Sequence, residues 1–238
     1  MEEQIDKLRN IINNSNRIVF FGGAGVSTES GIPDFRSTDG LYSHKYRYSP
    51  EEMLSHSFFM SHTSEFYRFY RDKMIYEDAK PNKAHEKLAE WEKEGKLKAV
   101  ITQNIDGLHQ KAGSKNVIEL HGSIFINYCI DCSKFYDIDK IKNSIDIPLC
   151  DCGGIIKPDV VLYQEQLKDE VLKDSTDALT TADTLIISGT SLKVFPASTL
   201  VKYFYGEHLI IINKTKLDFE NDADVVIHDG IAKTLEKV

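Results

Sequence analysis

Three groups of residues in this chain have types and spacings that could do chemistry. The first is a set of four cysteines, all between positions 129 and 152: Cys129-x2-Cys132, seventeen residues, then Cys150-x-Cys152. Two thiol pairs joined by a short loop have the spacing of a four-thiolate zinc site. Four thiolates leave no open coordination position, so the expected ion is structural. Unligated thiols are the plain alternative, and an iron–sulfur cluster is a less suited one. The single residue Asp151 between the last two cysteines is a tighter spacing than such pairs usually have, and it can strain the site.

The second group is a turn. Ile18-Val19-Phe20-Phe21 has the pattern of a buried parallel strand, and it runs into Gly22-Gly23-Ala24-Gly25-Val26-Ser27-Thr28. Closely spaced glycines let a backbone approach a pyrophosphate, and the first N–H groups of a following helix would face the anion. Thr28 stands where a dinucleotide fingerprint has its third glycine, so an ordinary strand-to-helix turn explains the stretch about as well. The third group is scattered. His121, just before Gly122, is the best placed of eight histidines for acid–base work. Asp106, after Asn104, could accept from an amide or a ribose. Asp34 and Arg36 flank Phe35, offering an acceptor, an aromatic face and a cation. A structural histidine, an N-cap aspartate and a surface ion pair are the ordinary readings of these residues.

The elements that must position these groups alternate in type. Residues 2–13 form the apolar stripe of a helix, with Ile5, Leu8, Ile11 and Ile12 on one face. Ser49-Pro50-Glu51-Glu52 starts another helix, and Asn82 to Lys93 is a third, closed by Gly95. Strands are expected at 98–102, 116–120, 184–188, 208–212 and 224–228, and helices at 167–181, 196–205 and 231–238. The pattern predicts an α/β fold, a Rossmann-like doubly wound parallel sheet. In such sheets ligands bind beyond the carboxyl ends of the strands, where every polar cluster named above falls. Phe58, Phe59, Phe66, Tyr67, Phe69 and Tyr70 are expected to pack a small helical subdomain, and the cysteine segment a small zinc-binding lobe. The expected boundaries are 1–38, 81–122 and 157–238 for the large domain, 39–80 for the helical part and 123–156 for the lobe.

Composition narrows the functions. The 238 residues carry a net charge of −8, which argues against a non-specific nucleic-acid binder. No apolar run approaches a membrane span, and no signal-peptide core is present, so a cytoplasmic protein with no membrane partner is expected. A phosphate loop of the Gly-x4-Gly-Lys type and a Gly-x-Ser-x-Gly elbow are both missing from the sequence. The acidic residue that a dehydrogenase places on its ribose has no clear strand to sit on.

The longer motifs resemble one family. Gly23-Ala24-Gly25-Val26-Ser27 through Gly31-Ile32-Pro33-Asp34-Phe35-Arg36, then Thr102-Gln103-Asn104-Ile105-Asp106-Gly107-Leu108-His109, then His121-Gly122, are similar to the sirtuins, NAD-dependent protein deacylases. The cysteine pairs, Lys157-Pro158-Asp159-Val160-Val161, Gly189-Thr190-Ser191 and Ile212-Asn213 continue the match in order over nearly the whole chain. The resemblance implies NAD as a reactant, one structural zinc on Cys129, Cys132, Cys150 and Cys152, and acyl-lysine peptides as substrates. It implies attack of the acyl oxygen on the nicotinamide ribose, departure of nicotinamide, an alkylamidate, and release of O-acetyl-ADP-ribose. His121 would be the general base, with Asn104 beside it. Gly23, Ala24, Gly25, Thr28, Asp34, Phe35 and Arg36 would contact NAD, with Gln103, Asn104, Ile105 and Asp106 around ribose and nicotinamide. Gly189, Thr190, Ser191, Asn213, Lys214, Asp229, Gly230 and Ile231 would hold the adenosine half. Val160, Val161, Leu162, Val194 and Phe195 would sandwich the peptide. Two departures stand out. Leu162-Tyr163-Gln164-Glu165 replaces the family's Phe-Gly-Glu, and Tyr70 occupies the arginine position of the Tyr-x-x-Arg pair that selects acidic acyl groups. An acetyl or longer apolar acyl chain is the expected preference. An ADP-ribosyltransferase or NAD glycohydrolase on the same fold, and a non-catalytic NAD-binding module, are the alternatives.

Overall fold

The strand β1 (Ile18–Gly22) lies at the middle of the molecule with all five residues buried. In the computed structural model, which describes residues 2–35 and 47–238, it is flanked by β2 (Leu97–Thr102) and β7 (Thr184–Ser188), both parallel to it. With β3 (Val117–Glu119), β8 (His208–Ile212) and β9 (Val225–Ile227) these make a six-stranded sheet in the order β3-β2-β1-β7-β8-β9. The order runs outward in opposite directions from β1 and β7. The chain leaves these two strands toward opposite sides of the sheet, and a crevice opens beyond their carboxyl ends.

Both faces of the sheet are buried, as a parallel sheet requires. Phe20, Ile186, Ile210 and Ile212 face one core with α1 (Glu2–Asn14), α5 (Lys83–Lys93) and α9 (Ile231–Leu235). Val19, Phe21, Leu185, Ile187 and Ile211 point the other way, toward α8 (Asp169–Thr181) and a 3-10 stretch, Ala197–Tyr203. The two-residue alternation of strand side chains sorts consecutive apolar residues onto opposite faces. Asn82 starts α5 with a capping box: its side chain accepts from Ala84 N, and His85 Nδ1 accepts from Asn82 N.

The remaining elements form a second layer with its own core. The strands β4 (Gly122–Cys129), β5 (Phe135–Tyr136) and β6 (Ile156–Val160) make an antiparallel sheet in the order β5-β4-β6. Against it pack α2 (Pro50–Met53), α3 (His56–Ser61), α4 (Thr63–Lys73) and α7 (Ile138–Asn143). Phe58, Phe59, Phe66, Tyr67, Phe69 and Tyr70 are all buried here, alongside Ile124, Ile141 and Ile156. The aromatic helices and the cysteine segment thus share one core. β6 belongs to this smaller sheet, so a boundary drawn at 157 passes through a strand.

Two sequence expectations are corrected. Among the described residues, no α-helix directly follows the glycine turn. Two 3-10 turns, Ala24–Val26 and Thr28–Ser30, stand there instead, ended by Gly31 in the left-handed region at φ 85°. The segment expected as a helix at 196–205 is likewise 3-10 over Ala197–Tyr203. The three antiparallel strands and α7 were not separable in the sequence. Arg36 and the residues to 46 lie outside the described residues. Among the described residues, no helix is long and apolar enough to cross a membrane.

Candidate active site

The crevice is a cavity of about 410 Å³ between the carboxyl end of the large sheet and the smaller layer. Its floor is made by the turns after β1 and β7, which interlock. Gly25 N donates to Gly189 O (2.8 Å), and Gly23 N donates to Ser188 O (3.2 Å). A Cβ on Gly25 would lie 2.7 Å from Gly189 Cα, and one on Gly189 would lie 2.4 Å from Val26 N. The glycines serve first to let two backbones cross. Gly23 sits behind the wall, while Ala24, Gly25 and Thr28 face the cavity.

A buried chain of side chains follows β2. Asn104 Nδ2 donates to Ser27 Oγ (3.0 Å), and Ser27 Oγ donates to Asp106 Oδ2 (2.6 Å). Asp106 Oδ1 accepts from Leu108 N (2.9 Å) at the start of α6 (Leu108–Ala112). Burial raises the Asp106 carboxyl above its usual range, and these two hydrogen bonds act against that. Gln103 Oε1 accepts from Thr190 Oγ1 (2.7 Å), whereas its Nε2 is buried with no partner. That donor in the wall is suited to a bound polar ligand.

His121 lines the same cavity, between β3 and β4. Its Nδ1 lies 3.0 Å from Gln103 O, so Nδ1 carries the hydrogen and donates to that carbonyl. Nε2 is left with its lone pair, the form that accepts a proton. Burial lowers the imidazole below the ordinary histidine range, with the Gln103 bond opposing, so the ring is neutral near pH 7.

At the far end, Asn213 Oδ1 accepts from Thr190 N (3.1 Å), and its Nδ2 donates to Thr215 O (2.7 Å). Gly189, Ser191, Lys214, Asp229, Gly230 and Ile231 complete that end. Asp34, Phe35, Ile105, Val160, Val161, Leu162, Val194 and Phe195 line the same cavity. Val161 N donates to His121 O (3.0 Å), which fixes that chain against the histidine backbone. Phe195 is 79% exposed and so open to a partner.

The cysteines stand apart from the cavity. Cys129 and Cys152 Sγ are 3.5 Å apart, Cys132 and Cys150 3.6 Å, and Cys132 and Cys152 3.5 Å. All four sulfurs lie within 4.8 Å of one another, and no disulfide joins them. A tetrahedral zinc with bonds of about 2.3 Å needs sulfurs about 3.8 Å apart, so the donor set fits. Gly154 is required beside it, because a Cβ there would lie 2.7 Å from Cys129 Sγ. Tyr136 donates its hydroxyl to Cys150 Sγ (3.1 Å), orienting one ligand. The one-residue spacing at Asp151 does not prevent the four thiols from converging.

Sequence reasoning missed three contributors. Ser27 is the bridge between Asn104 and Asp106. Asn82 Nδ2 donates to Val26 O (2.8 Å) and Ser30 Oγ (3.0 Å), tying α5 to the glycine turn. Glu29 Oε2 accepts from Ala232 N (2.9 Å) at the start of α9. Asn82 was legible as a helix cap, but its second role depends on a contact across 56 positions.

A crevice at the switch point of a doubly wound sheet, floored by glycine turns, is how dinucleotide-binding α/β proteins are built. The comparisons narrow this class. The model described as "Sir2 family" matches residues 23–196. An NAD-dependent protein deacetylase of Clostridium acetobutylicum is 59% identical over 240 residues, covering 99% of this chain and 98% of its own. One of Clostridium perfringens is 57% identical, covering 100% and 99%. A solved Sir2 structure, a histidine-to-alanine variant with a deacetylated p53 peptide and 3'-O-acetyl-ADP-ribose, superposes with a TM-score of 0.91. It is 38% identical and covers 98% of this chain and 96% of its own. The chain belongs to the Sir2 family.

Proposed function

We propose that the chain is an NAD-dependent protein-lysine deacetylase, releasing nicotinamide and passing the acyl group to ADP-ribose. The observation that carries the reading is His121, held with Nε2 as the free base in the same cavity as the glycine floor. Relatives at 59% and 57% identity bear the name NAD-dependent protein deacetylase, which supports it.

NAD, bound as co-substrate, supplies an electrophilic ribose carbon and a leaving nicotinamide. Ala24, Gly25 and Thr28 cradle its phosphates, with Gly23 behind them on Ser188 O and with Gly189, Thr190, Ser191, Asn213, Lys214, Asp229, Gly230 and Ile231 around the adenosine half. Gln103, Asn104, Ile105 and Asp106 form the pocket for ribose and carboxamide. The Ser27 bridge holds Asn104 and Asp106 at a fixed separation. Phe35, beside Asp34 on the cavity wall, excludes water from the reacting carbon. His121 Nε2 takes the proton of a ribose hydroxyl while Gln103 O holds the other nitrogen. Val160, Val161 and Leu162 add the acyl-lysine peptide as a strand against Val194 and Phe195.

Cys129, Cys132, Cys150 and Cys152 hold a structural zinc that steadies the lobe at 123–156, whose core is shared with α2, α3 and α4. Tyr67 donates its hydroxyl to Ile156 O, and Tyr70 is fully buried, so neither meets an acidic acyl group and an apolar acyl chain is preferred. Clustered reduced cysteines suit the cytoplasm. The net charge of −8 suits protein rather than nucleic-acid partners. The test is turnover of an acetyl-lysine peptide with and without NAD. Deacetylation only with NAD supports the reading; deacetylation without NAD, or none at all, contradicts it.

A further inference from the structure

The chain after β6 departs from the family pattern at Leu162-Tyr163-Gln164, and the side chains of Gln164 and Glu165 fasten this stretch to α3 and β6. Gln164 has φ 76°, the left-handed region that favours glycine. Its side chain offsets that strain: Gln164 Oε1 accepts from Ser57 N (3.0 Å) in the first turn of α3. Glu165 has three partners. Oε2 accepts from Leu162 N (2.8 Å) and from Lys157 Nζ (3.1 Å) on β6, and Oε1 faces His56 Nδ1 (2.8 Å) on α3. Lys157 Nζ also donates to Val160 O (3.0 Å). Tyr163 N donates to Leu54 O, and His56 N donates to Tyr163 O, both at 2.9 Å.

We propose that Glu165, assisted by Gln164, is a positioning residue for the substrate strand. The pair fastens residues 160–163 to the helical part of the small domain, so that a peptide meets the strand in one register beside His121. The inference rests on the reading of Val160, Val161 and Leu162 as the peptide-binding strand. Its physical basis is the distribution of main-chain donors. Val161 N is used by His121 O, Leu162 N by Glu165, and Tyr163 N by Leu54 O. Val160 O, Leu162 O and Tyr163 O accept from Lys157 Nζ, Glu165 N and His56 N, which leaves Val161 O, among the described residues, as the carbonyl for an incoming peptide N–H. Without the Glu165 carboxylate, Leu162 N loses its acceptor and Lys157 loses its counter-charge. The backbone bonds of Val161 to His121 and of Tyr163 to Leu54 and His56 remain, but Leu162, between these two pinned points, is released.

The experiment measures peptide affinity and turnover in parallel on the full chain. Fluorescence anisotropy of a labelled acetyl-lysine peptide without NAD reads the strand, and steady-state kinetics reads the reaction. E165A is expected to weaken peptide binding and raise the peptide KM about tenfold, with the KM for NAD within about twofold. E165Q keeps an acceptor for Leu162 N and should recover most of the loss. H56A removes only the α3 partner and should fall between them, which keeps the proposal testable if E165A folds poorly. Peptide affinity unchanged in E165A, or peptide and NAD constants rising together with no rescue by Gln, overturns it. A wild-type chain that binds peptide but does not deacetylate it overturns the deacetylase reading alone, and the affinity series still decides the role of Glu165.

Discussion

The imidazole Nδ1 of His121 lies 3.0 Å from the carbonyl oxygen of Gln103, the residue just after β2, and this bond sets which nitrogen can act as a base. The same residue, Gln103, holds Thr190 through its side chain, so the histidine is referenced to the floor of the cavity. His121→Ala should lower the rate of deacetylated-peptide formation by about 10²–10⁴-fold, the usual worth of a positioned general base. The wild-type rate should fall on the acid side as the imidazole protonates. Because burial lowers this group, that limb should lie below the ordinary 6.5. Rates measured from pH 5 to 8, with the variant alongside, check both; a limb above 6.5 would remove the assignment.

The interlocked turns make a prediction about stability. Gly189→Ala puts a Cβ 2.4 Å from Val26 N at a φ of 61°. Both the clash and the left-handed backbone oppose it, and a loss of more than about 2 kcal/mol is expected. Gly31→Ala is the control, since its φ is 85° but nothing lies within 4 Å of the added carbon. It should cost only about 1 kcal/mol. Denaturant titration of both variants separates close approach from conformation. Equal losses would mean that the crossing of the two backbones matters little.

Metal analysis should find about one zinc per chain. Removing it by chelation, or by Cys129→Ser, should loosen the antiparallel sheet first, because the end of β4, the turn after it and the loop before β6 supply the ligands. Hydrogen exchange should speed up over 122–160 and stay slow in β1 and β7. A metal-free protein with unchanged exchange in that segment would refute the site.

Two buried histidines set the acid limit of stability. His85 and His109 pack with ring centroids 4.7 Å apart. Burial brings His85 down to about 4, and burial together with the neighbouring His85 puts His109 well below 6.5. Their native forms are neutral, so the stability they allow is complete above 6.5 and is lost as pH falls toward 4. Glu119 acts oppositely. Burial raises it to about 7, so it favours the native state as pH falls from 7 to 4.5. His121, lowered by burial, acts with the two histidines, and Asp106, raised by burial, acts with Glu119; three groups outweigh two, and stability should drop below pH 6.5. His85→Gln retains an acceptor for the Asn82 cap and should flatten that slope, removing up to roughly 3 kcal/mol of pH dependence. Melting curves from pH 4.5 to 7.5 decide it; a slope that persists in the variant would place the acid sensitivity elsewhere.

The large sheet was legible because each of its strands is an apolar run ending in a polar turn, and burial on both faces demands that composition. The cysteine cluster was legible from spacing. The antiparallel sheet was not, because β4 and β6 pair across the whole cysteine segment and its shared core comes from helices some sixty to ninety positions away. The 3-10 turns at Ala24–Val26 and Thr28–Ser30 escaped for a different reason. Gly25 is held by Gly189 and the turn by Asn82, contacts no local pattern records. Ser27 is a small hydroxyl in a turn until Asn104 and Asp106 are brought to it from β2. Gln164 showed as a departure from the family pattern, but its positive φ and its hold on α3 became visible only in three dimensions.

The most direct test of the account is product stoichiometry. Purified protein is incubated with NAD and an acetyl-lysine peptide, and nicotinamide, free-lysine peptide and O-acetyl-ADP-ribose are quantified together. One of each per turnover is the predicted result. Nicotinamide release without peptide deacetylation, or free acetate formed with NAD left intact, would contradict it.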